Sequence, residues 1–587
     1  MSNKLTNFIA IFFLIIMFLL CVFSIKDDSF TFDETAHIAA GYSYLTQKDM
    51  RLNPEHPPLI KDIAALPLLF LNLNFPKNHP SWTQNENPQW WFQFDFANQF
   101  LYKSGNNPDK ILFWGRIPMI LVLIFLGWFL FFWTKKLFNN KTAILTLFLF
   151  SFSPTLLAHG RLITTDVGAA LGVVLSTYFW LKFLENPSRK NIILTGIIFG
   201  ISMLFKFSLL LLIPFFGFIT LVYAVLKGKK YILKYLLSAI FIGLIGLIFI
   251  ILPVYQYHIL NYPHQHQIRD TQFLLDTSSL PHFLITINKW LSTQPIFRSF
   301  SQYLLGILLV LNRGATGNTT YFLGQVSAAG WKSYFPIIYL IKEPLAFHIL
   351  SLIALITAIF LIKKPISKNT FIRIKNWVEN HFTEFSMITF LCLYWFTSIN
   401  SKLNIGVRHL LPIFPFTIIL VSETITNYWI DNKNLKIKYL ILFFLLLWQS
   451  FTVISVFPNF LIYFNELAGG PKNGYLYAVD SNFDWGQDLK RLKKWIEENK
   501  IEKIYIDYFG GGDVEFYFGE KAIKWSGEKN PKEMEKPNYF AVSVSSLQGG
   551  RGFPAKGYDG KTDYYYWLYQ FEPPIKRLGS IFVYYIK

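Results

Sequence analysis

The sequence predicts an α-helical membrane protein that crosses the bilayer about eleven times and carries a C-terminal α/β domain outside the membrane. Three observations support this prediction. Only 16% of the 587 residues are charged, against roughly a quarter in soluble proteins. The apolar residues form runs of about 18–25, long enough to cross a hydrocarbon core of ~30 Å. Residues 459–587 instead combine short strand-like runs with one amphipathic helical pattern.

The apolar runs predict the spans in chain order. We expect them near residues 7–24, 112–133, 142–158, 164–184, 191–226, 235–257, 335–362, 384–400, 408–427 and 438–457. The 191–226 run is basic at both ends and too long for one span, so we predict a hairpin with its tip at Lys206.

Basic residues predict the orientation of the chain, because short loops rich in Lys and Arg stay in the cytoplasm. The N-terminus is then cytoplasmic, and residues 25–110 and 258–334 form large outside loops. The membrane domain comprises residues 1–458, and residues 459–587 form the extracytoplasmic α/β domain. We expect the inner (cytoplasmic) membrane of a bacterium, with an archaeal membrane as the alternative.

Within the C-terminal domain, the patterns predict strands at 475–479, 503–508, 538–545 and 580–586 and a helix at 485–499. Asp480, Asp484 and Asp488 recur every four residues in this domain. They are candidates for a cation site, but Asp484 as the N-cap of the helix is the plainer interpretation.

The net charge of +19 arises from 55 Lys and Arg against 36 Asp and Glu. Most basic residues before the C-terminal domain lie in short loops. The positive charge therefore reflects the orientation of the chain in the membrane and contact with membrane lipids. We expect no nucleic-acid partner. Cys21 and Cys392 both lie in apolar runs and indicate neither a disulfide framework nor a metal site.

Two adjacent carboxylates, Asp33 and Glu34, follow the first span by only a few residues. Carboxylates at a membrane face are costly to desolvate, so one interpretation is a general base held where a lipid phosphate would lie. The alternative is that Asp33 caps a helix over residues 35–45, with Glu34 in its first turn.

Further candidates lie at the outer ends of later spans. Asp166 either shares a pocket with Asp33 or caps the helix that it begins. Basic residues are rare outside, and each either binds a carboxylate or phosphate oxygen or anchors the chain at the headgroups. These basic residues are Lys206, Arg313, Lys332 and Arg408, the last followed by His409.

The Glu55-His56-Pro57-Pro58-Leu59 segment ends a loop and begins a helix. A Glu-His pair can bind a divalent metal, to which His37 would be a further ligand, but two neighbouring side chains are a weak signal. A rigid proline turn with a polar surface is the alternative.

Taken together, these residues resemble the GT-C superfamily of membrane glycosyltransferases. The resemblance is to the branch of protein O-mannosyltransferases and aminoarabinose transferases that use polyprenyl-phosphate sugars. It is carried by Phe32-Asp33-Glu34, the Glu55–Leu59 turn, Thr164-Thr165-Asp166 and the short span that ends at Lys206. Segments at 330–336, 404–412, 463–471 and 480–488 resemble bacterial relatives with unassigned acceptors.

The resemblance implies a GT-C fold and inverting transfer of a sugar from a polyprenyl-phosphate donor to a hydroxyl of a protein or glycolipid acceptor. Asp33, Glu34 and Asp166 would be the catalytic carboxylates, with Asp33 as the base. The lipid phosphate would be bound by Lys206, Arg408, Arg313 and His56. No cofactor is required, and if a divalent metal is present, Glu55 is its expected ligand. The C-terminal domain would bind or screen the acceptor.

Two other classes of function remain open. A lipid-linked sugar transporter or flippase would show two similar halves with broken helices at mid-membrane, which the sequence does not show. A non-catalytic membrane scaffold would keep its function after replacement of Asp33.

Overall fold

A computed structural model describes residues 1–84, 89–363, 370–430 and 435–587 and shows a polytopic helical membrane protein with a mixed C-terminal α/β region. Among the described residues, eight helices are long and apolar enough to span a membrane: Asn3–Ser24, Pro108–Leu137, Asp166–Glu185, Phe207–Lys227, Lys229–His258, Phe382–Ile399, Val407–Trp429 and Lys436–Val456. A ninth candidate is the pair Tyr334–Lys342 and Leu345–Leu361, which is bent by 112°. The predicted fold class is confirmed.

Two of the predicted spans are shorter than a membrane-crossing helix. The 142–158 run forms Asn140–Ser151 and Pro154–His159, because Pro154 cannot continue a helix and Ser153 Oγ caps the second one. The first arm of the predicted hairpin is Arg189–Met203, with 15 residues. These two segments account for most of the difference between about eleven predicted spans and the eight or nine candidates.

The loops between spans contain further helices. In residues 25–110 they are Phe32–Gln47, Leu59–Ala65, Pro80–Thr83 and Phe92–Asn98; in 258–334 they are His264–Asp276, His282–Thr293 and Arg298–Thr316. The remaining helices are Thr370–Asn380, Leu489–Glu498, Val514–Phe518 and Val544–Gly549.

The helix Phe32–Gln47 has the capping box that its sequence encodes. The Thr31 side chain accepts from the backbone N–H of Glu34, and the Glu34 carboxylate accepts from the backbone N–H of Thr31. Thr31 therefore caps this helix, and the alternative role of Asp33 as the cap is wrong. The Asp33 side chain is thus free for other contacts.

Within the part of the chain that the structure describes, eight strands form two sheets: β1 Thr320–Phe322, β2 Gln325–Ser327, β3 Ile504–Asp507, β4 Ala522–Lys524, β5 Asn538–Ser543, β6 Phe553–Pro554, β7 Lys576–Leu578 and β8 Ile581–Ile586. The larger sheet has the order β4-β3-β5-β8-β7, with β3 parallel to both neighbours and β8 antiparallel to both of its own. The smaller sheet, β1-β2-β6, joins the 258–334 loop to the C-terminal region.

Three of the four predicted C-terminal strands are present as β3, β5 and β8. The strand predicted at 475–479 is wrong, since this segment forms the 3-10 turn Gly474–Leu476 and one isolated bridge from Ala478 to Phe322. The predicted helix begins at Leu489 rather than at residue 485, because residues 485 and 487 bond to the segment that precedes Asp33.

The C-terminal region and the membrane helices share one buried apolar core. Trp485 and Leu489 belong to the same cluster as Met17 and Ile120 of the spans. Residues 459–587 thus pack directly on the helical bundle, whereas the domain boundary at 458 remains a prediction.

Candidate active site

A cavity of about 420 Å³ lies among the helices Phe32–Gln47 and Arg298–Thr316, the break before Phe207 and the start of Val407–Trp429. We call it the site cavity. Part of its wall is apolar, with Phe207, Leu210, Leu211, Ile307, Val310 and Leu311. The charged and imidazole side chains that line it are Asp33, His37, Glu55, His56, Lys206, Arg313, Arg408 and His409.

Four charged residues at one end of the site cavity form what we call the cation cluster: Asp33, Asp166, Lys206 and Arg408. Arg408 Nη1 lies 2.9 Å from Asp33 Oδ2 and 3.6 Å from Asp166 Oδ2. Lys206 Nζ lies 2.5 Å from Asp166 Oδ1. The Arg408 guanidinium therefore bridges the two carboxylates, and the Lys206 ammonium contacts one of them, that of Asp166.

Each member of the cation cluster lies at the end of a helix or at a break. Asp33 and Asp166 lie in the first turns of their helices, where the helix dipole favours negative charge. Lys206 lies in the break between Met203 and Phe207. Arg408 lies in the first turn of its span. Side chains from distant parts of the sequence can meet here because the helix ends lie at one face of the bundle.

The Asp33 carboxylate is about a quarter exposed, at 25%. Burial by itself would raise its pKa and is the largest single influence. The lowering by Arg408, together with smaller contributions from His37 and Arg313, exceeds it, so the pKa lies below its ordinary value. Asp33 is therefore ionised at neutral pH and faces the site cavity. Asp166 is only 1% exposed and does not line the cavity itself; it holds the two cations that do.

Glu34 is not brought to the site cavity. It belongs to a separate set of buried charges, Asp28, Glu34, Arg116, Arg161 and Arg491, which we call the closed network. Arg116 binds both Glu34 oxygens, with Nε 2.8 Å from Oε1 and Nη2 2.6 Å from Oε2. The structure thus separates the two adjacent carboxylates that the sequence presents together.

The turn at Glu55 and His56 also lines the site cavity. Arg313 Nη1 lies 3.0 Å from Glu55 Oε1, and the His37 and His56 rings are 5.1 Å apart in an edge-on arrangement. Burial lowers the pKa of both imidazoles, so they are neutral at pH 7. His37 Nδ1 lies 2.8 Å from the Ile163 carbonyl oxygen, which makes Nδ1 the donor and leaves Nε2 as an acceptor.

These residues do not supply a complete set of metal ligands. Among the residues that the structure describes, no group of three or more His, Cys, Asp or Glu side chains could hold a metal ion. The Glu55 carboxylate is paired with Arg313, and His56 Nε2 is 3.9 Å from it. A metal role for Glu55 remains a prediction, and none of the chemistry proposed below uses a metal.

Lys332, Asp484 and Asp488 lie elsewhere, whereas Asp480 is near enough to Arg408 and Asp33 to interact with their charges. Lys332 is exposed and does not line the site cavity. Asp484 accepts from the backbone N–H of Ser545, and Asp488 from that of Ser580. Both carboxylates are therefore used in local structure, and the helix begins after Asp488, so Asp484 is not its N-cap.

Lys61 is a site residue that the sequence analysis missed. Its side chain is fully buried, and its Nζ lies 2.9 Å from the Tyr44 hydroxyl, from the Asn53 carbonyl and amide oxygens, and from the His56 carbonyl oxygen. Lys61 thereby holds the Glu55–His56 turn through the carbonyl oxygen of His56. Nothing in the sequence pattern distinguishes it from a solvated lysine of an amphipathic helix.

Trp485 was also missed, and its ring lies 4.1 Å from the Arg408 guanidinium carbon. The signal that could have identified it was its place in the 480–488 segment, which resembles a stretch of bacterial relatives.

Comparisons with known proteins bear on the family. Residues 109–257 match the profile of the family described as dolichyl-phosphate-mannose-protein mannosyltransferase. A search of curated proteins finds no match. This matched segment includes Asp166 and Lys206 of the cation cluster.

Among solved structures, the chain is similar to ArnT from Cupriavidus metallidurans bound to undecaprenyl phosphate, with 10% identity over 98% of this chain and 97% of that one and a TM-score of 0.46. It is also similar to the archaeal oligosaccharyltransferase AglB from Archaeoglobus fulgidus in complex with an inhibitory peptide and a dolichol-phosphate. That alignment has 11% identity over 91% of this chain and 69% of AglB, with a TM-score of 0.46.

The family that the motifs resemble and the family whose profile matches are the same. Residues 109–257 are therefore similar to the dolichyl-phosphate-mannose-protein mannosyltransferase family, one of the groups of transferases that the motifs resemble.

Proposed function

We propose that this protein is an inverting glycosyltransferase that moves a sugar from a polyprenyl-phosphate carrier to an acceptor hydroxyl. The observation that carries the proposal is Asp33, an ionised carboxylate that faces a cavity with a charged end and an apolar wall. The reaction would occur at the outer face of the cytoplasmic membrane, with the N-terminus inside and the C-terminal region outside.

The site cavity has charged side chains that would bind the phosphate of the donor and an apolar wall that would bind its lipid chain. Lys206, Arg313 and Arg408 line the site cavity, and their N–H groups can bind the oxygens of an anionic phosphodiester. Arg408 Nε is buried without a hydrogen-bond partner among the described residues, and such a donor is costly unless a ligand accepts from it. The apolar wall around Phe207 and Leu211 suits the first isoprene units of the carrier.

The chemistry then needs one proton acceptor. Asp33 takes the proton of the acceptor hydroxyl as its oxygen attacks the anomeric carbon from the face opposite the phosphate. The bond between this carbon and the phosphate oxygen breaks, the configuration inverts, and the carrier phosphate leaves with the electron pair. Because this leaving group is a stable anion, no general acid is needed.

Arg408 couples donor binding to the basicity of Asp33. In the structure its charge is shared between Asp33 and Asp166. A bound phosphate adds a third anion, which weakens the hold of Arg408 on Asp33 and raises the carboxylate's affinity for a proton. Asp166 is a positioning residue, since it fixes both Lys206 and Arg408.

The acceptor hydroxyl belongs to a protein or to a glycolipid, and the sugar is not specified by the geometry of the site cavity. No cofactor enters this mechanism. His56 lines the donor side as a neutral hydrogen-bonding group.

The test is transfer in proteoliposomes that contain the purified protein, a panel of radiolabelled undecaprenyl-phosphate hexoses and a host membrane extract as the acceptor source. Wild type should consume one donor, and Asp33→Asn should not. Asp27→Asn, an exposed carboxylate of the same loop outside the site cavity, is the matched control and should match wild type. Equal turnover by Asp33→Asn would reject Asp33 as the base. Absence of both turnover and donor binding in wild type would favour the scaffold.

A further inference from the structure

The segment 480–488, which we call the 480–488 loop, belongs to the C-terminal region but contacts the cation cluster. Trp485 is 1% exposed, and the Arg408 guanidinium carbon lies 4.1 Å from the centre of its ring. A cation over an indole face is attracted by the ring's quadrupole, most strongly for Trp among the aromatic residues. The indole thus limits where the guanidinium can lie.

The same loop holds the backbone next to Asp33. Phe32 N donates to the Trp485 carbonyl oxygen at 3.0 Å, and Ser29 N donates to the Gln487 carbonyl oxygen at 2.9 Å. Phe32 directly precedes Asp33, so the position of the base follows that of the 480–488 loop.

The loop also holds the backbone next to Arg408. Val407 N donates to Asn482 Oδ1 at 2.9 Å, and Ser481 Oγ donates to the Ile405 carbonyl oxygen. Gly406 between them has φ +143°, and a Cβ there would lie 2.1 Å from Ser481 Oγ. The close approach of the two segments therefore requires glycine at this position.

Asp33 and Arg408 are 375 residues apart in sequence, yet their side chains meet at 2.9 Å. They come from different helices, and the 480–488 loop contacts the backbone of both through separate hydrogen bonds. Trp485 contacts both sides, by its carbonyl oxygen on the Asp33 side and by its ring on the Arg408 side.

We propose that Trp485 is a positioning residue that holds Arg408 against Asp33, so that the C-terminal region completes the catalytic site. The inference rests on the proposed function for the meaning of the Asp33–Arg408 pair, and it holds for any acceptor. It replaces the expectation that the C-terminal region only binds or screens the acceptor.

The first test is kinetic and compares Trp485→Leu, Trp485→Phe and Trp525→Leu. Trp525 is the control, since it is a buried tryptophan of the same region that packs on Tyr505 and Phe540, away from the site cavity. Trp485→Leu should lower kcat by ~10- to 100-fold, as misplacement of a catalytic pair by about 1 Å does. Trp485→Phe should restore most of this loss, and Trp525→Leu should leave kcat near wild type.

The second test does not depend on turnover. Carbodiimide with an amine labels protonated carboxyls, and trypsin releases residues 27–48, which contain both Asp33 and the exposed Asp27. At pH 5, loosening Arg408 should raise the pKa of Asp33 and hence its labelling relative to Asp27, by up to ~10-fold for one pKa unit. We expect this rise in Trp485→Leu, a smaller one in Trp485→Phe and none in Trp525→Leu.

An unchanged labelling ratio in folded Trp485→Leu would overturn the inference, even if wild type transfers a sugar. If Trp485→Leu fails to fold, Trp485→Phe decides, because Phe binds a cation more weakly than Trp and should still raise the ratio. Conversely, a raised ratio without transfer by wild type would support the positioning role of Trp485 and contradict the proposed function alone.

Discussion

The cation cluster and the closed network are two sets of charges that contain the neighbouring residues Asp33 and Glu34 and differ in whether that carboxylate faces the site cavity. Glu34, in the closed network, is fully buried, and its two oxygens accept five hydrogen bonds, from Thr31 N, Thr31 Oγ1, Ile163 N and two Arg116 nitrogens. Asp33, in the cation cluster, is 25% exposed and has one guanidinium partner.

The difference shows that two adjacent carboxylates, Asp33 and Glu34, can serve different roles, one in the site and one in the structure. A carboxylate has about four acceptor sites, so Glu34 has none left for a ligand. Asp33 retains acceptor capacity, since it faces the site cavity and accepts from a single guanidinium. Consecutive residues of a helix point about 100° apart, which is enough to send the two side chains to different surroundings.

The largest expected effect is on activity after Asp33→Asn. Loss of a general base lowers kcat by ~10²- to 10⁴-fold. The thermal midpoint should stay near that of wild type, because Arg408 keeps Asp166 as its partner. Both quantities are measured on the same preparation, by the transfer assay and by thermal unfolding in detergent. A large fall of the unfolding midpoint with kcat retained would instead make Asp33 a structural carboxylate.

The next effect is on stability after Glu34→Gln. Removing one partner of a buried ion pair destabilises by ~3–5 kcal/mol. Without the Glu34 charge, Arg116 must share Asp28 with Arg161 and Arg491, so the buried positive charge is no longer balanced. The unfolding midpoint should fall clearly below that of wild type, whereas Glu498→Gln, at an exposed position, should leave it unchanged. If Glu34→Gln were as stable as wild type but inactive, Glu34 would belong to the catalytic carboxylates after all.

A smaller effect is expected on donor binding after Lys206→Met. A hydrogen bond to a charged group contributes ~1.5–3 kcal/mol, so affinity for undecaprenyl phosphate in proteoliposomes should fall by roughly 10- to 100-fold. Lys332→Met is the control, because Lys332 is exposed and outside the site cavity. Equal affinities in the two variants would remove Lys206 from the phosphate site.

The smallest effect concerns pH. Burial raises the pKa of Asp33, Arg408 lowers it most, and Arg313 lowers it less, which leaves it below its ordinary value. Asp33 acts as a base only when ionised, so kcat/KM should be constant from neutral pH down to about pH 4 and fall below that. Arg313→Gln should move this acid limb to higher pH, because the Arg313 charge helps to lower the pKa of Asp33. A wild-type limb near pH 6 would point to a different base.

Much of the fold could be predicted from the sequence because apolar runs and charged loops are local properties. The runs predict most of the observed spans, and Lys206 does lie at the break that the basic flanks of the 191–226 run predict. The broken third span does not show in hydropathy, since the 142–158 run is mostly apolar on both sides of Ser153 and Pro154, where the helix divides.

The candidate site was predictable as a set of residue types and only partly as an arrangement. Asp33, Lys206, Arg313 and Arg408 were expected to face one pocket and do line one cavity. The Asp33–Arg408 contact, the removal of Glu34 to the closed network and the roles of Lys61 and Trp485 all depend on partners far away in sequence.

By itself, the sequence determined the class of protein, the approximate limits of most spans and which charged residues lie near helix ends, because hydropathy and helix capping act over a few turns. Only the tertiary structure decided which charges are paired, since Coulomb and hydrogen-bond energies depend on the distances that packing sets. Asp33 and Glu34 are alike in sequence and in chemistry, and it is the different packing around them that leaves one carboxylate open to a substrate and the other closed.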